Sequence, residues 1–156
     1  MEGKKGLVMG LVNQRSIAYG ISKFLYEEGA KIAFSVQNEM LKNKLSWIRD
    51  DFKTENMFEC DVSDESEIKN MFENVEKCFG KIDFIIHSLA FSDKDELSGE
   101  YVDTTKQNFL KTMDISCYSF TSVARHAKKI LNKGASLLTL SYYGAEKALP
   151  NYNVMG

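Results

Sequence analysis

Short apolar runs alternate along this chain with longer stretches in which apolar residues recur every three or four positions. The run at residues 6–9 reads as a buried strand that ends at Gly10. Ile17, Gly20, Ile21, Phe24 and Leu25 then share a helical face, and Gly29 supplies a stop. Residues 31–36 read as a second strand, and 40–52 as a second helix with Leu41, Leu45 and Ile48 on one side. A third, weaker strand falls at 57–60. Asp64 with Glu67 three positions later has the form of a capping box. It opens a helix whose apolar face is Ile68, Met71, Phe72, Val75 and Phe79, closed by Gly80. Residues 82–87 are the fourth strand. A polar loop over 92–100 leads to a long helical stretch over 105–131, and residues 135–140 form the fifth strand.

Strands separated by helices of this length must cross over, which makes them parallel and covers both faces of the sheet. The pattern therefore predicts a doubly wound parallel α/β sheet, Rossmann-like, with one domain over 1–156. No linker, repeat or low-complexity segment divides the chain, and Pro150 is its one proline.

Composition narrows the partners. With 20 Lys and Arg against 22 Asp and Glu the net charge is −2, which gives no global reason to expect nucleic acid or an anionic membrane. Cys60, Cys78 and Cys117 are odd in number and widely spaced, with neither a disulfide pattern nor a metal-ligand pattern. No metal is expected, and the reading is a cytoplasmic protein. The apolar start is too short and too interrupted by glycine for a membrane span or signal peptide.

Candidate chemistry gathers where strands end. Gly10 follows the first strand, where a glycine permits a sharp bend and helix-start N–H groups can face a phosphate. The GxGxxG pattern is absent, since the next glycine after Gly10 is Gly20. Gln37-Asn38 ends the second strand, where dinucleotide folds place a ribose-binding group. No arginine or lysine occupies 37–40, which favours NAD over NADP. Asp61-Val62 ends the third strand: the carboxylate can accept from an adenine amino group, or serve only as a helix-start residue favoured by the dipole. Tyr142 and Tyr152 lie just beyond the fifth strand, and each alone also reads as a half-buried aromatic with a polar tip. His87 and His126 read as packing or surface residues.

Several stretches together resemble the NADH-dependent enoyl-acyl-carrier-protein reductases, divergent members of the short-chain dehydrogenase/reductase superfamily. They are Gly10-x5-Ser16-Ile17-Ala18-Tyr19-Gly20, Val36-Gln37-Asn38, Cys60-Asp61-Val62, the run from His87 to Phe91, and the closing block from Leu138 to Gly156. Ordinary short-chain reductases carry a TGxxxGxG turn and a serine thirteen residues before the catalytic tyrosine; here the turn differs and that position is Thr139.

The resemblance implies reduction of trans-2-enoyl thioesters on acyl carrier protein by NADH, within bacterial fatty-acid synthesis. It assigns Tyr152 to the thioester oxygen and Tyr142 to a proton relay or the wall of the acyl pocket. Gly10, Ser16 and Ile17 are implied at the diphosphate, Gln37, Asp61 and Val62 at the adenosine end, and Leu89 beside the cofactor. At Ser92 the backbone is implied to line the substrate pocket. A homotetramer is implied through the long helices, with Tyr118, Phe120 and Val123 as candidate contributors, although core packing accounts for these three equally well. The family's catalytic lysine would fall past Gly156, so the resemblance also implies an N-terminal part of a longer protein, inactive by itself. Two rivals remain at this point: a carbonyl-reducing short-chain dehydrogenase, and an NAD(H)-binding piece without activity.

Overall fold

Five parallel strands form one sheet: β1 (Lys5–Met9), β2 (Lys31–Val36), β3 (Met57–Glu59), β4 (Ile82–His87) and β5 (Leu131–Thr139). The computed structural model describes every residue from Met1 to Gly156. The spatial order is β3-β2-β1-β4-β5. The chain builds outward from β1 to β3, then returns to the other side of β1 with β4. That reversal creates a switch point between β1 and β4, where sheets of this kind bind ligands beyond their carboxyl ends. The doubly wound parallel architecture is as the pattern predicts.

Alternation along the central strands divides the core into two layers. Leu7, Met9 and Ile85 point to one face, where they pack with Ile68, Met71, Phe72 and Val75 of α4 (Glu65–Phe79) and Val123 and Ala127 of α6 (Ser119–Ala127). Val8, Phe34, Phe84 and Ile86 point to the other, against Ala18 of α1 (Ile17–Glu27), Leu45, and Ile48 and Phe52 of α3 (Ile48–Phe52). Burial on both faces is why these strands read as continuous apolar runs.

Four local features depart from the sequence pattern. The expected helix over 40–52 splits into α2 (Glu39–Lys44) and α3, because the Leu45 N–H tightens onto both Leu41 and Lys42 carbonyls and a turn follows. Asn38 caps α2, its Oδ1 accepting from the Leu41 N–H at 2.9 Å. The capping box at Asp64 is not formed: Asp64 accepts from the Ser66 N–H, while Glu67 reaches past it to the Asp61 N–H at 2.7 Å. The long helix over 105–131 is α5 (Lys106–Met113), a π-helical turn at Asp114–Tyr118, and α6. β5 starts at Leu131 rather than 135, because Ile82 faces Leu131 while Phe84 faces Ser136. The extra residues bulge, with Gly134 at φ +80° and Asn132 bonded to Asp83.

No helix is long and apolar enough to cross a membrane.

Candidate active site

A cavity of about 520 Å³ lies over the carboxyl ends of β1 to β4. Gly10, Leu11 and Val12 enter it from β1, Gln37 from β2, Asp61, Val62 and Ser63 from β3, and Leu89, Ala90 and Phe91 from β4. Lys111, Asp114 and Ile115 roof it from α5 and the π turn. Of the seven residues assigned to the cofactor by sequence, Gly10, Gln37, Asp61, Val62 and Leu89 thus converge on one space.

Gly10 is fixed by packing as well as by its turn. Its φ is +86°, and a Cβ there would overlap the Ser88 carbonyl. No other residue type can bring β1 and the β4 loop this close. Ser16 and Ile17 stand apart from the cavity, at the start of α1. The Ser16 hydroxyl and N–H both bond the Asn13 carbonyl, and Ile17 is 66% exposed.

Gln37 and Asp61 form a single unit at the β2–β3 end. The Gln37 amide donates to one Asp61 oxygen at 3.1 Å, and the Ser63 N–H and hydroxyl donate to the other. Burial pushes the Asp61 carboxyl up, but the Ser63 and Gln37 donors outweigh it and hold its pKa below the usual carboxylate range. Cys60 beside it is buried, and its thiol is pushed up to about 12 by desolvation and then by Glu67, Asp61 and Asp64.

Ser92, whose backbone is expected at the substrate pocket, is anchored by its side chain. Its hydroxyl is turned into α5, accepting from Thr112 Oγ1 at 2.9 Å and Asn108 Nδ2 at 3.1 Å. Asn108 also accepts from the Asp93 N–H, and the Ser116 hydroxyl bridges the Phe91 N–H and carbonyl. Ser92 therefore fastens the loop after β4, while its neighbours Ala90 and Phe91 face the cavity.

Tyr142 and Tyr152 meet beyond β5, their rings stacked at 4.4 Å between centroids and 12° between planes. Neither lines the cavity. The Asn153 side chain ties this segment to the loop after β4 through the carbonyls of Glu96 (2.9 Å) and Ser98 (3.3 Å). Residues 153–155 form a single 3-10 turn rather than the start of a helix. Tyr152 beside it, as a hydrogen-bonding partner, raises the Tyr142 phenol above its ordinary pKa, so this group stays protonated at neutral pH.

A family model described as enoyl-(acyl carrier protein) reductase matches residues 10–156. The chain belongs to the enoyl-(acyl carrier protein) reductase family. It is 51% identical, over all of its length, to enoyl-[acyl-carrier-protein] reductase [NADH] 1 of Rhizobium meliloti (strain 1021), covering 57% of that protein. It is 42% identical to the corresponding protein of Rickettsia bellii (strain RML369-C), again over its whole length and 60% of the relative's. The solved reductase of Anaplasma phagocytophilum, in complex with NAD, superposes with a TM-score of 0.97 at 47% identity over 100% of this chain and 60% of that one. The chain thus spans somewhat under two thirds of these relatives' lengths.

Within this family member the contact between β4 and β5 carries a further distinction. His87 is fully buried and bonded at both ring nitrogens, to Ser119 Oγ at 2.7 Å and to Thr139 Oγ1 at 3.1 Å. The Ser119 hydroxyl gives its hydrogen to the Ile115 carbonyl at 2.6 Å, so it accepts from His87 Nε2. His87 Nδ1 is then unprotonated and accepts from the Thr139 hydroxyl. Burial lowers the His87 pKa, which keeps this arrangement neutral. The hydroxyl at the position of the short-chain reductases' serine is thereby committed to a buried histidine.

His126 lies outside the site. With Arg125, Ser122 and Tyr118 it surrounds the Glu65 carboxylate at the start of α4. Hydrogen bonds from His126 first, then Ser122 and Arg125, lower Glu65 to about 2. Of the three residues expected at a subunit interface, Val123 is in the core and Phe120 packs on the His87 ring, which leaves Tyr118 exposed.

Sequence reasoning missed Ser63, Lys111, Asp114 and Ile115. The Asp-x-Ser spacing of a local turn could have found the first. The other three sit at i, i+3 and i+4 on one helical face, where Lys111 and Asp114 are polar and so hidden from an apolar search.

Proposed function

We propose that this chain is the cofactor-binding part of an enoyl-[acyl-carrier-protein] reductase, which uses NADH to reduce the trans-2 double bond of an acyl thioester. The observation that carries this reading is the convergence of Gly10, Gln37, Asp61, Val62 and Leu89 on one cavity at the switch point. That lining fits a dinucleotide: a backbone turn without a Cβ, an amide–carboxylate pair able to address an adenosine, and no basic side chain at 37–40 to hold a 2′-phosphate.

Gln37, Asp61 and Val62 are assigned to the adenosine end, Gly10 with Ser16 and Ile17 to the diphosphate, and Leu89 to the wall beside the ring. A bound dihydronicotinamide supplies the hydride. Hydride arrival at the β-carbon places negative charge on the thioester oxygen, and a proton from solvent completes the α-carbon. Tyr152 is assigned as hydrogen-bond donor to that oxygen, a role a neutral phenol fills without prior ionisation. Tyr142, stacked against it, orients that ring and forms part of the acyl wall or relays the proton. Ser92 acts by holding the loop that carries Phe91. The whole protein is proposed to act as a cytoplasmic homotetramer, consistent with the apolar Leu110, Met113 and Tyr118 exposed on the long helix.

The carbonyl-reducing alternative is disfavoured by the Thr139–His87 bond, which takes the hydroxyl such a reaction would use. The test is NADH consumption by the whole protein with a crotonyl thioester and, separately, with an acetoacetyl thioester. Oxidation with the first alone supports the proposal; oxidation with the second alone rejects it.

A further inference from the structure

Lys111 is the one cation among the residues that line the cavity, which also contains the carboxylates of Asp61 and Asp114. Its ammonium lies 2.7 Å from Asp93 Oδ1 and 4.7 Å above the centroid of the Phe91 ring. Phe91 is itself held by the Ser116 hydroxyl at both its N–H and its carbonyl. The charge is therefore stationed at the β4 end of the cavity. Gly10 packs against Ser88 and Leu89 at that same end, whereas Gln37 and Asp61 mark the opposite, β2–β3 end.

We propose that Lys111 is a ligand-contacting residue that neutralises the diphosphate of a bound dinucleotide from the roof of the cavity. This rests on the nucleotide reading of the site. Two carboxylates already line the space, so a dianionic group entering it requires a nearby positive charge, and no other side chain supplies one. The Asp93 pair holds Lys111 only weakly, since both partners are about 40% exposed (43% and 40%) and such pairs are screened by solvent. The lysine can thus turn to a more highly charged partner, while the Phe91 face keeps it near the cavity when no anion is bound. A contact to a ribose 2′-phosphate is the less favoured geometry, because that group belongs at the β2–β3 end.

The test is titration of the chain and its Lys111→Met and Lys111→Arg variants with NADH, ADP, 2′-AMP and adenosine, at low and raised salt. Lys111→Met is expected to weaken NADH and ADP about fivefold or more at low salt, with the difference shrinking as salt rises. Adenosine and 2′-AMP should bind as to the unaltered chain, and Lys111→Arg should retain most of the ADP affinity. Equal affinity of Lys111→Met and the unaltered chain for ADP overturns the proposal, as does a loss shared by adenosine or confined to 2′-AMP. Failure of the unaltered chain to bind any of the four overturns the nucleotide reading itself.

Discussion

β4 and β5 are hydrogen-bonded neighbours, in register from Phe84 to His87, yet they occupy different surroundings. Ile85 is fully buried and Ile86 nearly so, while Leu138, the partner of Ile86 across the ladder, is 44% exposed. No residue of β5 is buried. The cavity side of the molecule is held from above and below by helices, and its geometry follows from packing inside this chain. The tyrosine end is held by a ring stack, the two bonds from Asn153 and local turns. The proposed cofactor-binding half is thus determined by the core, whereas the proposed oxyanion donor rests on a few polar contacts.

The sharpest way to break this contrast is to shorten paired side chains. Ile86→Ala should cost about 2–5 kcal/mol in denaturant unfolding. Leu138→Ala should stay within about 0.5 kcal/mol, as at an open surface. Similar losses at both would show that β5 is as well packed as β4. The next largest effect separates chemistry from binding in the whole protein. Tyr152→Phe should lower kcat about 100-fold or more with NADH affinity unchanged, whereas Asp61→Ala should weaken NADH about tenfold through loss of a charged acceptor. A matched fall in both parameters for Tyr152→Phe would remove its assigned role.

A smaller effect concerns the clasp between α4 and α6. The Glu65 carboxyl is depressed to about 2 in the folded chain. Its stabilisation is therefore full above the ordinary carboxylate value and is lost as pH falls from about 4.5 towards 2. Glu65→Gln should lower Tm at pH 6 and leave a gap to the unaltered chain that closes towards pH 2. A gap constant across that range would assign the effect to something other than this carboxylate. The smallest effect distinguishes interior from surface thiols: Cys78 and Cys117 should alkylate at pH 8 well before Cys60, whose thiol sits near 12. Thiol labelling followed by peptide mapping reads this directly.

Where one short apolar run sufficed, the sequence reading and the structure coincide: residues 31–36 and 82–87 are β2 and β4. Two-sided burial makes such strands legible. The start of β5 was hidden, because Asn132, Lys133 and Gly134 look like a terminator and become a bulge only through pairing with Asp83 and β4. The π turn left no signal of its own inside the helical pattern, and it brings Asp114 and Ile115 into the roof. Among the residues that line the cavity, Gly10, Gln37, Asp61 and Val62 were legible from their place at strand ends. Lys111 was not, since its place depends on how Ser92, Asn108 and Thr112 lock a loop distant in sequence onto α5. The direction of the Ser92 hydroxyl was hidden for the same reason: it is set by a helix sixteen or more residues away.

The most direct test of the central claim is a crystal structure of the chain grown with NADH. The account predicts the adenine over Val62 at the β2–β3 end, its amino group at the Asp61 carboxylate and its diphosphate under Lys111 beside the Gly10 turn. A nucleotide bound elsewhere, or a cavity that stays empty at saturating NADH, would contradict it.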